Sequence, residues 1–322
     1  MANHTANKFR TDLWKEDSIH SVDFYNQWFM ESAPEAYRVA RAGVVSRVIL
    51  TLKGLNYLYG INLNRVIDNP QFLSVLRACT APPIAVDRLA GLSGTTKTLI
   101  KTLEKGKVPS RMDKSAIEES VARILNIVNR LLDFEIFPWL RNGNTPSAQM
   151  LNRSSAIIAD RISGTLADPI IRNSQEARQF KAIDEFLQNL GYIKVNSNDF
   201  DSCTLMPPKS YAHHMNVPVR ISSAKEINMP IDVVIQTTET INNQMPILVE
   251  CKSAGDFTNT NKRRKEEAIK VTQLRNTYGV DSIKFVLFLC GYFDTSYLGY
   301  EASENIDWVW EHRISDFLML GI

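Results

Sequence analysis

The order of hydrophobic and polar residues divides the chain into two parts. From Ser18 to about Phe137, apolar residues recur every three or four positions, as in VDFYNQWFMESAPEAYRVARAGVVSRVILTLKGL and ESVARILNIVNRLLDFEIF. This spacing places them on one face of successive helices. The segment RNGNTPSAQMLNRSS, residues 141–155, then introduces Gly, Asn, Pro and Ser, which favour connectors. We therefore expect a mainly helical region over residues 1–160.

Beyond residue 160 the pattern alternates between helix and strand. A helical segment, SQEARQFKAIDEFLQNLG, precedes three strand-like segments, a helix from about Asn261 to Tyr278 and a further apolar strand. The strand segments are NVPVRIS, MPIDVVIQ, PILVECK and IKFVLFLCG. The order αβββαβ predicts a mixed β-sheet flanked by helices. The fold class is therefore α+β, with a second domain over residues 161–322.

Composition narrows the class of protein without naming a function. The 322 residues are 44% hydrophobic, enough for the core of two domains. The net charge of +2 means that any nucleic-acid contact must come from local basic patches. No Cys-x-x-Cys pair occurs, and the longest apolar run, FVLFLCGYF, is too short to cross a bilayer. We expect a cytoplasmic protein with reduced thiols and no membrane contact.

Charged residues stand in two of the predicted strands. Side chains alternate in PILVECK, so Glu250 and Lys252 share one face at its C-terminal end. The preceding strand, MPIDVVIQ, carries Asp232 among apolar residues. The intervening residues 233–249 fit a hairpin that returns Glu250 beside Asp232. Two carboxylates and an ammonium group would then converge.

This group of charges suits phosphodiester hydrolysis. A carboxylate pair binds a hard divalent cation such as Mg²⁺, which acidifies an attacking water, while Lys252 orients that water or offsets charge in the transition state. The alternative is a structural ion pair, because one Glu-x-Lys in a chain of this size is expected by chance. Placement in buried strands favours catalysis, since charged residues are rarely buried without a purpose.

Asp232 and Glu250-Cys251-Lys252 resemble the motif of the PD-(D/E)XK nuclease superfamily. The segments VECKSAGDFTNTNKRRKEEA, FVLFLCGYF, NIDWVWEHR, SVDFYNQWFMESAPEAYR and PPIAVDRL are similar to XamI-type restriction endonucleases. The resemblance covers most of the chain. It departs from the motif in one place, because Ile231 separates Pro230 from Asp232. Proline takes no part in the chemistry, so this departure affects only the specificity of the motif.

The resemblance implies roles for individual residues. Asp232, Glu250 and the Cys251 carbonyl would bind Mg²⁺, for which Mn²⁺ can substitute, and Lys252 would assist the water. Glu176 stands where some relatives carry a further acid that binds metal or orients the lysine. An equally simple interpretation is that Glu176 is a glutamate near a helix N-terminus, where the helix dipole favours it.

Four consecutive cations, Lys262, Arg263, Arg264 and Lys265, open the helix after the second acidic strand. With Asn261 as the N-cap, they occupy the first helical turn, where the helix dipole disfavours positive charge. Such a turn, with its free backbone amides, binds anions well. We interpret it as a clamp for DNA phosphates; the alternative is a solvated run of charge without a partner.

The segment DRLAGLSGTTKTLIKTLEKGK predicts two short helices around a turn at Gly94. It is similar to the helix-turn-helix of the lambda-repressor-like family, with Glu104 and Gly106 closing the second helix. Residues facing outward could then reach DNA phosphates or base edges. They are Thr95, Thr96, Lys97, Thr98 and Lys101. An ordinary helical hairpin with a buried leucine stripe explains the pattern equally well.

Together these features predict a type II restriction endonuclease. It would use Mg²⁺ to cut both strands of a short double-stranded DNA site, leaving 5′-phosphate ends. Cutting both strands with one site per chain implies a homodimer on a palindrome, and a cognate DNA methyltransferase is the expected functional companion. The alternatives are a repair, transposition or modification-dependent nuclease of the same fold, and a non-catalytic helix-turn-helix regulator.

Overall fold

The computed structural model describes residues 4–222, 225–237, 244–258 and 260–322, without the side chains of 222 and 260–263. It contains helices in both halves of the chain and one six-stranded sheet in the C-terminal half. The helices are α1 (Trp14–Gly54), α2 (Leu63–Asp68), α3 (Phe72–Ala78), α4 (Val86–Ser93), α5 (Lys97–Glu104), α6 (Lys114–Leu131), α7 (Trp139–Asn142), α8 (Ala148–Gly164), α9 (Ala167–Asn189), α10 (Thr260–Tyr278) and α11 (Thr295–Ser303).

The strands follow one another in the sheet in chain order, from β1 to β6. They are β1 (Ile193–Lys194), β2 (Ser210–Ser222), β3 (Lys225–Gln236), β4 (Ile247–Ala254), β5 (Lys284–Gly291) and β6 (Asp307–Trp310). β2, β3 and β4 are antiparallel neighbours, whereas β4, β5 and β6 run parallel, and β1 is parallel to β2. The mixed sheet with flanking helices confirms the predicted α+β class, and β1 and β6 add two strands that the pattern missed.

The chain forms two compact units. One comprises Met1–Pro34 with Arg172–Ile322, and the other comprises Glu35–Ile171. The sequence pattern divided the chain into residues 1–160 and 161–322, whereas the compact units assign residues 161–171 to the helical unit and the N-terminal segment to the unit of the sheet. Asp307 accounts for the placement of the N-terminal segment, because its carboxylate accepts hydrogen bonds from the backbone amides of Ala6 at 2.6 Å and Asn7 at 2.8 Å. Local periodicity does not reveal contacts between residues 300 positions apart.

The helical unit, Glu35–Ile171, has its own apolar core. The helices predicted from three- and four-residue spacing contribute its members, including Val48, Leu76, Ile100, Ile124 and Ile158. α4 and α5 meet at a turn in which Gly94 has φ of +61°, a conformation that residues with a side chain rarely adopt. The predicted pair of short helices around Gly94 is therefore confirmed.

The sheet carries one apolar layer on each face. On the first face, Leu248, Leu287 and Trp308 pack with Leu274 of α10 and Leu298 of α11. On the second, residues of the same strands pack with Ile183 and Leu187 of α9 and with Phe317 near the C-terminus; the strand residues include Val249, Val286 and Val309. β4 and β5 are thus covered on both sides, which explains their nearly continuous apolar sequences. Among the described residues no helix combines the length and apolar content that a bilayer crossing requires.

Candidate active site

The two acidic strands form the predicted hairpin. β3 and β4 are antiparallel, with Val233 opposite Val249 and Ile235 opposite Ile247. One position further along, Asp232 and Glu250 come together, and the Asp232 Oδ2 atom accepts a hydrogen bond from the backbone N–H of Cys251 at 2.8 Å. Both acids therefore lie at the end of β4 from which Lys252 also emerges.

The strand pleat is interrupted at Asp232. Ile231 packs on the same face of the sheet as Val234, whereas Val233 packs on the other face, so the alternation shifts by one residue between them. In the neighbouring β2, His214 has φ of +52°. His213 pairs with Val233 and Met215 pairs with Ile231, but His214 and Asp232, which lie between them, do not form a regular ladder pair. Irregular strands of this kind are common beside active sites, where they redirect a side chain.

Glu250 is surrounded by positive charge. Its side chain is 5% exposed, and its Oε1 atom lies 2.9 Å from Lys252 Nζ and 2.6 Å from Lys270 Nζ. Lys270 comes from α10 and also approaches the carbonyl oxygen of Pro230 at 3.4 Å. No described residue donates a hydrogen bond to the second oxygen, Oε2, although it is buried. An acceptor left without a partner in a buried site is costly, which favours a ligand at this atom.

Burial and neighbouring charges shift the pKa values of Asp232 and Lys252. Burial raises the pKa of Asp232, and the negative charge of Glu250 raises it further. Burial works to lower the pKa of Lys252, but Glu250 and Glu267 outweigh it, so the pKa lies above its usual value. Lys252 is therefore a cation at neutral pH. Two crowded carboxylates with a free oxygen fit a hard divalent cation, because such an ion binds oxygen and relieves their repulsion.

The thiol of Cys251 takes no part in this group. Its side chain packs in the second apolar layer, with Val249 and Phe288, and burial holds the pKa of the thiol well above its usual range. Cys251 contributes to the site through its backbone, because its N–H donates a hydrogen bond to Asp232. The predicted metal contact through its carbonyl oxygen stays a prediction.

α10 and α11 add residues that the sequence reasoning missed. Glu267 is 1% exposed, lies 3.9 Å from Lys252 Nζ through its Oε1 atom and accepts a hydrogen bond from the Tyr297 hydroxyl at 2.7 Å. Glu301 is fully buried beside it, and burial with the charge of Glu267 raises the pKa of Glu301 to about 9. A signal for Glu267 was present: it precedes the buried Val271 and Leu274 by four and seven positions, which places it on the core-facing side of α10.

The family of the chain follows from comparison with known proteins. The XamI restriction endonuclease family model matches residues 56–310. The type II restriction enzyme SalI of Streptomyces albus G is 43% identical over 308 residues, which are 96% of this chain and 97% of that enzyme. The chain belongs to the XamI restriction endonuclease family. It is a type II restriction endonuclease, as the sequence predicted.

A more distant relative agrees with the assignment. The type II restriction enzyme XamI of Xanthomonas campestris pv. amaranthicola is 23% identical over 197 residues, or 60% of this chain and 62% of that enzyme. Among solved structures, protein VC1899 from Vibrio cholerae aligns with 84% of this chain and 55% of its own, at 11% identity and a TM-score of 0.29. That score is too low to show a common fold. The family assignment therefore rests on sequence.

Glu176 of this XamI-family enzyme is exposed on α9. The helix begins at Ala167, more than two turns earlier, so its interpretation as a glutamate at a helix N-terminus is wrong. Other residues in this part of α9 contact the strands: Gln179 Nε2 donates to the carbonyl of Phe288 at 3.1 Å and approaches that of Lys252 at 3.4 Å, and Arg178 approaches the Cys290 thiol at 3.1 Å. The metal-binding role of Glu176 stays a prediction.

The cation run lies at the start of α10 as predicted, but the helix begins at Thr260, so Asn261 is a helical residue and not the N-cap. The side chains of Lys262 and Arg263 lie outside the described residues. The guanidinium of Arg264 stacks over the Tyr300 ring, 3.6 Å from its centre, whereas Lys265 is exposed. A phosphate contact by the whole run stays a prediction.

In the helix-turn-helix segment, the residues predicted to face outward are mostly exposed. Thr96, Lys97, Thr98 and Lys101 are exposed and Thr95 is half-buried. Two of them have local partners: Lys97 pairs with Asp87 at 2.8 Å, and the Thr96 side chain caps α5 by accepting from the Leu99 N–H at 3.2 Å. The geometry suits both DNA contact and an ordinary helical hairpin.

Two histidine groups lie elsewhere in the unit that holds the sheet. His213 and His214 both lie in β2, and His213 Nε2 is 3.0 Å from Asp184. Asp17, His20 and His312 bring ligand atoms within 4.8 Å of one another. Arg313 already contacts both oxygens of Asp17, at 2.5 and 2.7 Å. We therefore interpret Asp17 as the partner of this arginine.

Proposed function

We propose that Asp232, Glu250 and Lys252 form the catalytic site of a PD-(D/E)XK nuclease core, which cuts both strands of a short, specific DNA duplex. The observation that carries the proposal is the convergence of Asp232 in β3 with Glu250 and Lys252 in β4. A buried oxygen of Glu250 accepts no hydrogen bond from the part of the chain that the structure describes. A simple ion pair would require neither the second acid nor the free oxygen.

The residues divide the chemistry between them. Asp232 and Glu250 would hold Mg²⁺, which when bound supplies positive charge to acidify the attacking water and to shield the phosphate oxygens. Lys252 is a hydrogen-bond donor rather than a base, because its pKa is raised. It would orient the water and offset negative charge as the water oxygen bonds to phosphorus. The bond from phosphorus to the 3′ oxygen breaks, that oxygen gains a proton, and a 5′-phosphate and a 3′-hydroxyl remain.

Assembly follows from the number of strands to be cut. One site per chain hydrolyses one strand, so cleavage of both strands uses two copies related by a twofold axis. Such a homodimer matches a palindromic DNA site. A DNA methyltransferase that modifies the same site would protect the host chromosome, which makes it the functional companion of this enzyme.

Sequencing the ends of cleaved plasmid DNA tests the proposed reaction. Incubation with Mg²⁺ is expected to give double-strand breaks at one short palindromic sequence, with a phosphate on each 5′ end. Chelation of Mg²⁺ by EDTA in a parallel sample is expected to stop cleavage. Breaks without a common sequence, 3′-phosphate ends or undiminished cutting in EDTA would each contradict the proposal.

The start of α10 is proposed to contact DNA phosphates. Replacing the exposed Lys265 by Gln is expected to weaken cognate and non-cognate binding equally and to lower the salt-dependence slope by about one unit, because one phosphate contact is lost. Lys284→Gln is the matched control. That exposed lysine begins β5 opposite Ile247, at the other end of the sheet from Lys252. Equal slopes for both variants and the wild type would exclude Lys265 from the phosphate contact.

The exposed side of α5 is proposed to read DNA bases. Thr98→Ala is expected to relax sequence preference at one base pair, since a lost base contact is worth roughly 1–3 kcal/mol of discrimination. Cleavage of a library of single-base site variants measures the preference. If both preference and affinity match the wild type, Thr98 makes no base contact and the segment is better explained as a helical hairpin.

A further inference from the structure

The ammonium group of Lys252 lies close to the carboxylates of Glu250 and Glu267. Its Nζ atom lies 2.9 Å from Glu250 and 3.9 Å from Glu267. Glu250 already contacts Lys270 at 2.6 Å, and in the proposed reaction it also holds the metal ion. A carboxylate committed to a metal ion is a poor anchor for a nearby ammonium group, which leaves Glu267 as the acid available to Lys252.

Glu267 is a buried side chain whose position is fixed by a hydrogen bond. It is 1% exposed, and the Tyr297 hydroxyl donates a hydrogen bond to its Oε2 atom at 2.7 Å. Its Oε1 atom is buried and faces Lys252, and Glu301 is a further hydrogen-bond partner of the carboxyl group. An ammonium group 3.9 Å away is well placed to compensate this oxygen, because a buried carboxylate is costly unless it is paired.

Burial raises the pKa of Glu267, while the positive charge of Lys252 works to lower it. Glu301 lies beside Glu267 on α11, and burial together with the charge of Glu267 raises the pKa of Glu301 to about 9. Lys270 follows Glu267 on α10 by three positions and pairs with Glu250. α10 therefore contributes a partner to each charged residue of β4: Lys270 to Glu250, and Glu267 to Lys252.

We propose that Glu267 is the positioning residue of Lys252, holding its ammonium group in place for catalysis from α10, with Tyr297 fixing the carboxylate. The inference rests on the proposed catalytic role of Lys252 and adds to it the residue that orients the lysine. Glu267 acts through Lys252 and need not touch DNA or the metal ion.

Glu267→Gln is the direct test, because it keeps the shape of the side chain and an acceptor for Tyr297 while it removes the charge. Under single-turnover conditions with saturating enzyme, the cleavage rate is expected to fall about 10- to 100-fold, the usual cost of misplacing a catalytic group or losing its supporting partner. DNA affinity and melting temperature should match the wild type. Glu266→Gln, on the exposed neighbour in the same helix, should cleave at the wild-type rate.

A double-mutant comparison shows whether Glu267 acts through the lysine. In a Lys252→Ala background, adding Glu267→Gln should slow residual cleavage no further, and Tyr297→Phe alone should give a smaller loss than Glu267→Gln. A wild-type rate for Glu267→Gln would overturn the inference, as would a loss that follows a fall in melting temperature. Failure of the proposed function is a separate result, because it requires wild-type cleavage by Lys252→Ala.

Discussion

Alanine at Asp232, glutamine at Glu250 or alanine at Lys252 is expected to lower the single-turnover cleavage rate by about 1,000-fold or more, while specific DNA binding remains measurable. A rate loss of this size is typical when an enzyme loses one charged group that stabilises the transition state. The three effects have different causes. Asp232 and Glu250 would supply metal ligands, whereas Lys252 would stabilise charge and orient water.

The response to metal separates these causes. Excess Mg²⁺ should not restore cleavage by Lys252→Ala, because the loss is one of positioning and not of metal affinity. Lys284→Ala, which removes an exposed lysine at the opposite end of the sheet, serves as the control and should cleave normally. Wild-type cleavage by any one of the three variants would exclude that residue from the active site.

Gly291→Ala is expected to destabilise the protein by about 3 kcal/mol or more. Gly291 ends β5 opposite Ala254, the last residue of β4, and has φ of +96°. An added Cβ atom would lie 2.1 Å from the carbonyl oxygen of Ala254, so the backbone of one strand must move. Because Ala254 follows Lys252 by two residues in β4, the same shift should also lower the cleavage rate.

Gly299→Ala is the matched control for this prediction. Gly299 lies inside α11, where an added Cβ atom would meet only an ordinary contact, with the Trp14 ring at 3.9 Å. Alanine is favoured over glycine in a helix by up to about 1 kcal/mol, so the melting temperature should stay constant or rise slightly. Equal melting temperatures for the two variants would contradict the close approach of β4 and β5 at Gly291.

The convergence of Asp232, Glu250 and Lys252 could be predicted from sequence because two independent patterns point to it. Asp232 and Glu250 interrupt strands that are otherwise apolar, and residues 233–249 have the length of a hairpin. Strand alternation then places Glu250 and Lys252 on one face. The pattern did not reveal the shift of alternation at Asp232, since the positive φ of His214 in the neighbouring strand is a tertiary feature.

Other parts of the structure depend on contacts that local patterns do not encode. β6 has only four residues, too few to show a period, and it is fixed by pairing with β5. Asn7 belongs with the C-terminal residues because its side chain donates to Asp316 at 2.9 Å. Lys270 lies in a strongly polar helix, where charged residues normally face solvent, so its contact with Glu250 could not be predicted from the local pattern.

The central claim is that Asp232 and Glu250 jointly hold the metal ion used for cleavage. Crystals soaked in Mn²⁺, which scatters X-rays anomalously, test it most directly. An anomalous difference map is expected to show a peak within coordination distance of one oxygen from each carboxylate, and the peak should vanish in crystals of Glu250→Gln. Manganese bound only elsewhere, for example at Asp17, His20 and His312, with Asp232 and Glu250 unligated, would contradict the claim.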